Sequence, residues 1–336
     1  MGKKINFLLI VIFISTIVFV AGPINAQEEK VLVLSSTSPK EGPIEVYTDY
    51  FVDAVSRKSN GKIQFEEFFD ALLGGDKAQL ELLKVGEIDM SIVYVHASQW
   101  FPEYDATRVP FLFPNPESIR NYYNDPSIME IIEEKMITNG NCVMIDPLVA
   151  RGRRYTTANK PLVNPEDFNG LKIRLPEIPI WIEVWKALGA IPIPISSSET
   201  FSALQTGVVD SHENLLGNIE GRHMYEVQDY LIATEHLEMT SHLIMNKDSF
   251  ESLSPEYQKI IIESAREASE YNLKLLDENN QKVIDNLIHQ GMELVKPDIE
   301  KIKNAVMKDI EIIAEQELAP GVLEAAEKAI KQTQLQ

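Results

Sequence analysis

A helix that stops at a glycine and turns directly into a strand occurs in both halves of this chain. This feature constrains the fold more than any other. In the first half the corner reads Leu80-Glu81-Leu82-Leu83-Lys84-Val85-Gly86-Glu87-Ile88-Asp89. In the second it reads Ala203-Leu204-Gln205-Thr206-Gly207-Val208-Val209-Asp210. Glycine suits the left-handed residue that closes a helix because it has no Cβ to clash there. Gly61-Lys62-Ile63 and Gly170-Leu171-Lys172-Ile173 likewise open a strand in each half. Such corners recur in any α/β fold, so the echo supports two similar lobes without demonstrating them. The copies lie too far apart for a stack of short repeats.

Between these corners strands and helices alternate. Residues 31–34 are apolar and partly β-branched and read as a buried strand. Val46, Tyr50, Phe51 and Val55 space a helix over 46–56, and a strand follows at 62–65. A helix over 78–85, capped by Gly86, leads to a strand at 88–95; a helix at 116–135 leads to a strand at 142–147. Strand–helix alternation predicts an α/β sheet with helices covering its faces. The last third is helical. Ser254 caps a helix that Pro255 opens, and its apolar positions recur to Leu287 before Gly291 ends it. Unbroken, that helix is about 50 Å long and spans both lobes. Further helices are expected at 305–318 and 322–330.

The first residues have the three parts of a secretory signal peptide: Lys3 and Lys4, an apolar run over 7–20, and a polar-leaning stretch ending at Ala26. An uncleaved anchor is the competing reading. Gly22 and Pro23 break the run and Ala26 suits the position before a cut, so cleavage after Ala26 and export from the cytoplasm are expected. Of 336 residues, 44% are hydrophobic and 24% charged, which excludes bulk disorder. A net charge of −20 argues against nucleic acid and anionic membrane surfaces. An acidic ligand therefore has to be attracted locally, by arginines. Cys142 is the single cysteine, so no internal disulfide and no cysteine-rich zinc site is available.

Arg174 poses the sharpest question. It lies in the apolar run Gly170-Leu171-Lys172-Ile173-Arg174-Leu175-Pro176. A guanidinium keeps its proton, and desolvating it alone is costly, so it needs an anion. Two readings stand. A ligand carboxylate would accept two parallel N–H···O bonds. An internal Asp or Glu would make a structural ion pair, and such pairs also produce sites of this kind. Arg154 lies in the arginine-rich Arg151-Gly152-Arg153-Arg154, between the halves, where a cleft between lobes would form.

Signatures of catalysis are poor. Ser211, His212 and Glu213 are neighbours on an expected strand and point to opposite faces, so they cannot serve one another. His236 and His242 are spaced for neither a helix face nor a zinc clamp. No enzyme activity, cofactor or metal site is expected. Trp181 and Trp185 stand one helical turn apart and read as core, with a cleft wall as the alternative.

The block from Arg154 to Leu231 resembles the solute-binding proteins of tripartite ATP-independent periplasmic (TRAP) transporters. The matching residues are Arg154-Tyr155-Thr156-Thr157, Lys160-Pro161, Asp167 through Pro176, Leu188 through Pro194, Glu199-Thr200-Phe201, Ala203 through Asp210 with Glu213-Asn214, and Glu226 through Leu231. More loosely, the likeness covers the whole exported chain. It implies a two-lobed periplasmic-binding-protein-like fold with a hinge. After the signal peptide at 1–26, the first lobe takes 27–151 plus about 240–279, and the second 152–239 plus about 280–336. It implies a periplasmic protein that closes on a small organic acid and delivers it to the permease subunits of a TRAP transporter. A protein that presents the acid to a membrane receptor instead is the alternative. A monomer is expected, with a dimer left open. The family's carboxylate-clamping arginine falls on Arg174, a second arginine contact on Arg154, and the ligand-orienting asparagine on Asn214. Where the family usually has Asp-Gly-Gln-Glu-Asn, this chain has Asp210-Ser211-His212-Glu213-Asn214. Glu177 and Trp181 lie in a stretch that varies with ligand; a glutamate there would favour ligand hydroxyls and oppose a second carboxylate. Tyr94, Trp100 and Phe201 are candidates to close the pocket.

Overall fold

A computed structural model describes residues 29–94 and 97–334. The expected signal peptide lies outside the described residues. No helix among them is long and apolar enough to cross a membrane.

The first half lays down β1 (Lys30–Ser36), α1 (Gly42–Lys58), β2 (Ile63–Phe68), α2 (Asp76–Val85) and β3 (Met90–Val93). β1 sits between β2 and β3, parallel to both. Gly86 closes α2 at φ 79°, the left-handed cap its sequence predicts. Next come α3 (Pro116–Tyr123) and α4 (Pro126–Gly140), where one helix is expected. The break is at Asp125-Pro126. Proline lacks the N–H a continuous helix needs, and the Asp125 carboxylate accepts from Ser127 N–H to start α4 afresh.

The strand expected at 142–147 is the start of a much longer one, β4 (Cys142–Ala158). Pro147 and the arginines interrupt its apolar pattern, and register shifts flank both places. The second half contributes β5 (Lys172–Leu175), α5 (Pro179–Ala187), β6 (Ile191–Pro194), α6 (Thr200–Gln205), β7 (Ser211–Leu215), α7 (Leu216–Gly221) and β8 (Tyr230–Ile232). The chain then returns through β9 (Glu238–Asn246) to α8 (Lys247–Glu251) and α9 (Pro255–His289). It ends in β10 (Glu293–Val295), α10 (Ile299–Glu317) and α11 (Val322–Gln334).

The strand order is β2-β1-β3-β9-β4-β7-β5-β6, with β8 joined to β4 and β10 to β8. β9 and β4 are the antiparallel pair that ties the halves together. β4 pairs β9 from Cys142 to Arg153, then leaves it to pair β7 from Arg154 to Ala158. The change of partner falls between two consecutive arginines.

α9 is unbroken over 35 residues, about 50 Å at 1.5 Å per residue. The Ser254 hydroxyl accepts from Tyr257 N–H at its start, as a cap should. The helix packs on α1 in the first half and on α7 and β10 in the second. One apolar core, with Tyr47, Phe51 and Ile261, lies beneath α1 and the first part of α9. Another, with Tyr155, Leu216 and Leu287, lies beneath α7 and the last part of α9. α10 packs on α5, and α11 returns to pack on α3.

Candidate functional site

β5 and β7 run parallel, and Arg174 stands in register with His212. Alternate residues of a strand share a face, so Arg174, His212 and Asn214 share one. Both strands end here, and the crevice outside the carboxyl ends of parallel strands is where α/β sheets bind ligands. Arg174 is only 3% exposed. Its Nε–H donates to the Ile195 carbonyl at 2.8 Å. Among the described residues no carboxylate lies within ion-pair distance of it. Burial depresses its pKa; Glu213 opposes this without touching it, and the cations of Arg154 and Arg222 add to it. The geometry therefore withholds the internal partner that one of the two readings of Arg174 requires.

Asn214 ends β7. Its Oδ1 accepts from Leu215 N–H at 2.9 Å and from the Asn218 Nδ2 at 2.9 Å. No described residue accepts from its own Nδ2. Phe201, at the start of α6, packs against the same cluster as Ile193 and Ile195, beside the carbonyl that holds Arg174. The Arg174 Nη groups and the Asn214 Nδ2 thus lie on one face of the sheet near the ends of β5 and β7, without acceptors among the described residues.

Arg154 is placed differently. It pairs with Leu215 in the register, two residues from Glu213, and so belongs to the opposite face. Its Nε–H donates to the Glu213 carboxylate, and Nη2 donates to Oε1 of the same residue at 2.9 Å and to its carbonyl at 3.1 Å. The His236 Nε2–H gives Glu213 a further bond at 3.1 Å. Burial alone would raise the Glu213 pKa, but Arg154 and His236 hold it well below the usual carboxylate range. The guanidinium lies 4.8 Å from the ring centre of Trp181. Trp181 is itself buried, with its indole N–H on the Arg108 carbonyl at 2.9 Å. Trp181 and Trp185 are both buried, and the Trp181 ring lies against the Arg154 guanidinium.

Tyr94 stands at the edge of this second cluster. Its hydroxyl donates to the Met239 sulfur at 2.9 Å, and the Arg151 guanidinium lies 5.7 Å from its ring centre. Burial pushes its pKa up, while Arg154 and Arg151 pull the other way. Glu177 is exposed just past β5. Trp100 belongs to the large buried core, and its carbonyl accepts from Asn139 of α4. Among the described residues no group of three or more His, Cys, Asp or Glu side chains is arranged to hold a metal ion.

Two site roles escaped the sequence reading. Glu213 enters it as a poor catalytic carboxylate and as part of the family's Glu-Asn motif, not as the counter-ion that buried Arg154 calls for. Asn218 follows Asn214 by one helical turn, a spacing that carries no signal until the strand is known to end at Leu215.

Residues 34–317 match the family described as “Bacterial extracellular solute-binding protein, family 7”. The chain belongs to that family. As a family 7 solute-binding protein it is similar to Solute-binding protein RD1_1052 of Roseobacter denitrificans, at 30% identity over 271 residues, 81% of this chain and 83% of the relative. The solved structure of that relative, a TRAP periplasmic solute-binding protein with bound L-galactonate, matches with a TM-score of 0.73 at 27% identity, over 90% of this chain and 99% of that one. The 2,3-diketo-L-gulonate-binding periplasmic protein YiaO of Escherichia coli is 30% identical over 250 residues, 73% of this chain and 74% of its own. The two-lobed α/β architecture expected from the sequence is the architecture of these proteins.

Proposed function

We propose that this family 7 solute-binding protein captures a small hydroxylated carboxylic acid between its lobes. It then delivers the acid, unchanged, to the membrane subunits of a TRAP-type secondary transporter. The reading places it in the periplasm, with residues up to Ala26 removed on export. One observation carries it: Arg174 is a buried guanidinium without a carboxylate partner among the described residues.

With Nε held by Ile195, the two Nη groups of Arg174 are the donors available to a carboxylate. Asn214 adds its Nδ2 from the same face. Arg154 acts from the other face. Glu213 holds its Nε and Nη2, so Nη1 remains for a ligand oxygen. Charge-assisted bonds in such a desolvated place contribute about 1.5–3 kcal/mol each. Closure follows if both lobes touch the acid, because a ligand shifts an equilibrium only by its differential affinity for the two states. The hydroxylated class is supported by L-galactonate and 2,3-diketo-L-gulonate, named for the relatives.

A thermal-shift screen tests the reading, because a ligand well above its Kd raises apparent stability by a few kcal/mol. L-Galactonate, 2,3-diketo-L-gulonate, lactate, pyruvate and succinate form the panel, with neutral galactose as control. Stabilisation by at least one hydroxylated acid and none by galactose is expected. Mass spectrometry of the recovered acid should show no turnover. A shift with galactose equal to that with its acid would remove the carboxylate from the account.

A further inference from the structure

The orientation of the Asn214 amide is decided by a group that leaves no choice. The backbone N–H of Leu215 donates to it at 2.9 Å, and a backbone N–H cannot accept. The atom it meets is therefore oxygen, independently of any assignment of amide O and N. Asn218, in the first turn of α7, donates its Nδ2 to the same oxygen at 2.9 Å. An amide oxygen has two lone pairs, and both are engaged. What Asn214 has left to offer is N–H alone.

We infer that Asn218 is a positioning residue that locks the Asn214 amide with its donors toward the ligand, so that this position selects an oxygen acceptor and rejects an ammonium. The inference rests on the carboxylate-binding reading of the site. Leu215 N–H biases the amide by itself. Asn218 supplies the second bond, so a rotated amide would set its Nδ2 against the Leu215 N–H and keep the Asn218 bond only if Asn218 flipped as well. Asn218 is exposed and lies in a short helix, so its side chain is removable without opening a core.

The test is a double-mutant cycle by isothermal titration with L-galactonate. It compares wild type, Asn214→Ala, Asn218→Ala, the near-isosteric Asn218→Leu, and Asn214→Ala with Asn218→Ala. A single neutral hydrogen bond corresponds to a loss of about three- to ten-fold in affinity. Asn218→Ala and Asn218→Leu should each show a loss of that size, with the melting temperature of the ligand-free protein unchanged. In the Asn214→Ala background, Asn218→Ala should cause no further loss. A merely structural role for Asn218 would give additive losses, and that result overturns the inference, as does wild-type affinity in both Asn218 variants. If Asn214→Ala itself binds like wild type, the role of Asn214 is what fails. If wild type binds no hydroxylated acid of the panel, the inference falls together with the acid-binding reading; if it binds one other than L-galactonate, the cycle is run with that acid.

Discussion

Two buried arginines, twenty residues apart in sequence, have opposite electrostatic fates. Arg154 is neutralised by Glu213, itself held by His236, while Arg174 is not. The sequence sets Arg174 in an apolar run and Arg154 in an arginine-rich one but does not say which has a partner, because the Arg154–Glu213 bond spans 59 residues and depends on how β4 pairs with β7. Removing one member of a buried pair strands the other charge. Glu213→Gln should therefore destabilise the protein by about 3–5 kcal/mol, measured by urea unfolding. His212 gives a pH-dependent counterpart. The Thr157 hydroxyl donates to Gln228 Oε1, so it accepts from His212 Nδ1–H at 2.7 Å, while the buried Nε2 has no partner among the described residues. Burial, opposed by Glu213 and reinforced by Arg174, brings the His212 pKa down to about 3. The folded value is depressed below the ordinary 6.5, so the unfolded chain binds a proton that the folded chain refuses. The contribution to stability is complete above about pH 6.5 and is lost as pH falls toward 3, at up to about 1.4 kcal/mol per pH unit. His212→Gln should flatten the acid limb of the stability profile by about one proton; an unchanged slope would mean that His212 is not buried neutral.

At the scale of elements, β4 and β9 carry the connection between the halves. α9 was legible in full because its Ser-Pro start and apolar spacing are local. β4 was legible only to Pro147. Beyond it the strand is built from Arg, Gly and Thr, and long-range pairing holds it extended. Gly152 lies at one of its register shifts with φ 95°, and a Cβ there would stand 3.2 Å from the Asn280 amide of α9. Gly152→Ala should destabilise by about 1–2 kcal/mol, as a left-handed residue without glycine's freedom. Opposite Arg153 in the register is Glu238. Burial raises its pKa to about 7; Arg153 opposes this, and Asp277 and Glu235 reinforce it. Here the folded value exceeds the ordinary 4.5, so the sign reverses: the contribution is present below about pH 4.5 and is lost as pH rises through 7. Glu238→Gln should stabilise the protein relative to wild type at pH 8 by at most about 3 kcal/mol, and much less at pH 5. Equal effects at both pH values would contradict the buried, proton-holding carboxyl.

For the whole molecule, the two-lobed architecture was readable from the repeated helix–glycine–strand corner and the long α9. The return of α11 onto α3 was not, because nothing local in 322–334 says which surface its apolar face will meet. Arg174 stood out as a cation in an apolar run and Asn214 through the family likeness, whereas Asn218, in α7, emerges only from geometry. What unites the levels is a sheet whose strand ends hold a buried cation without a carboxylate partner among the described residues. Isothermal titration of Arg174→Ala against the tightest-binding acid of the panel tests this most directly, beside thermal unfolding of the ligand-free variant. The expected result is a ten-fold or greater loss of affinity, about 1.4 kcal/mol or more, with unfolding unchanged or shifted upward. Wild-type affinity in that variant would contradict the central claim, since the carboxylate would then be held by something other than Arg174.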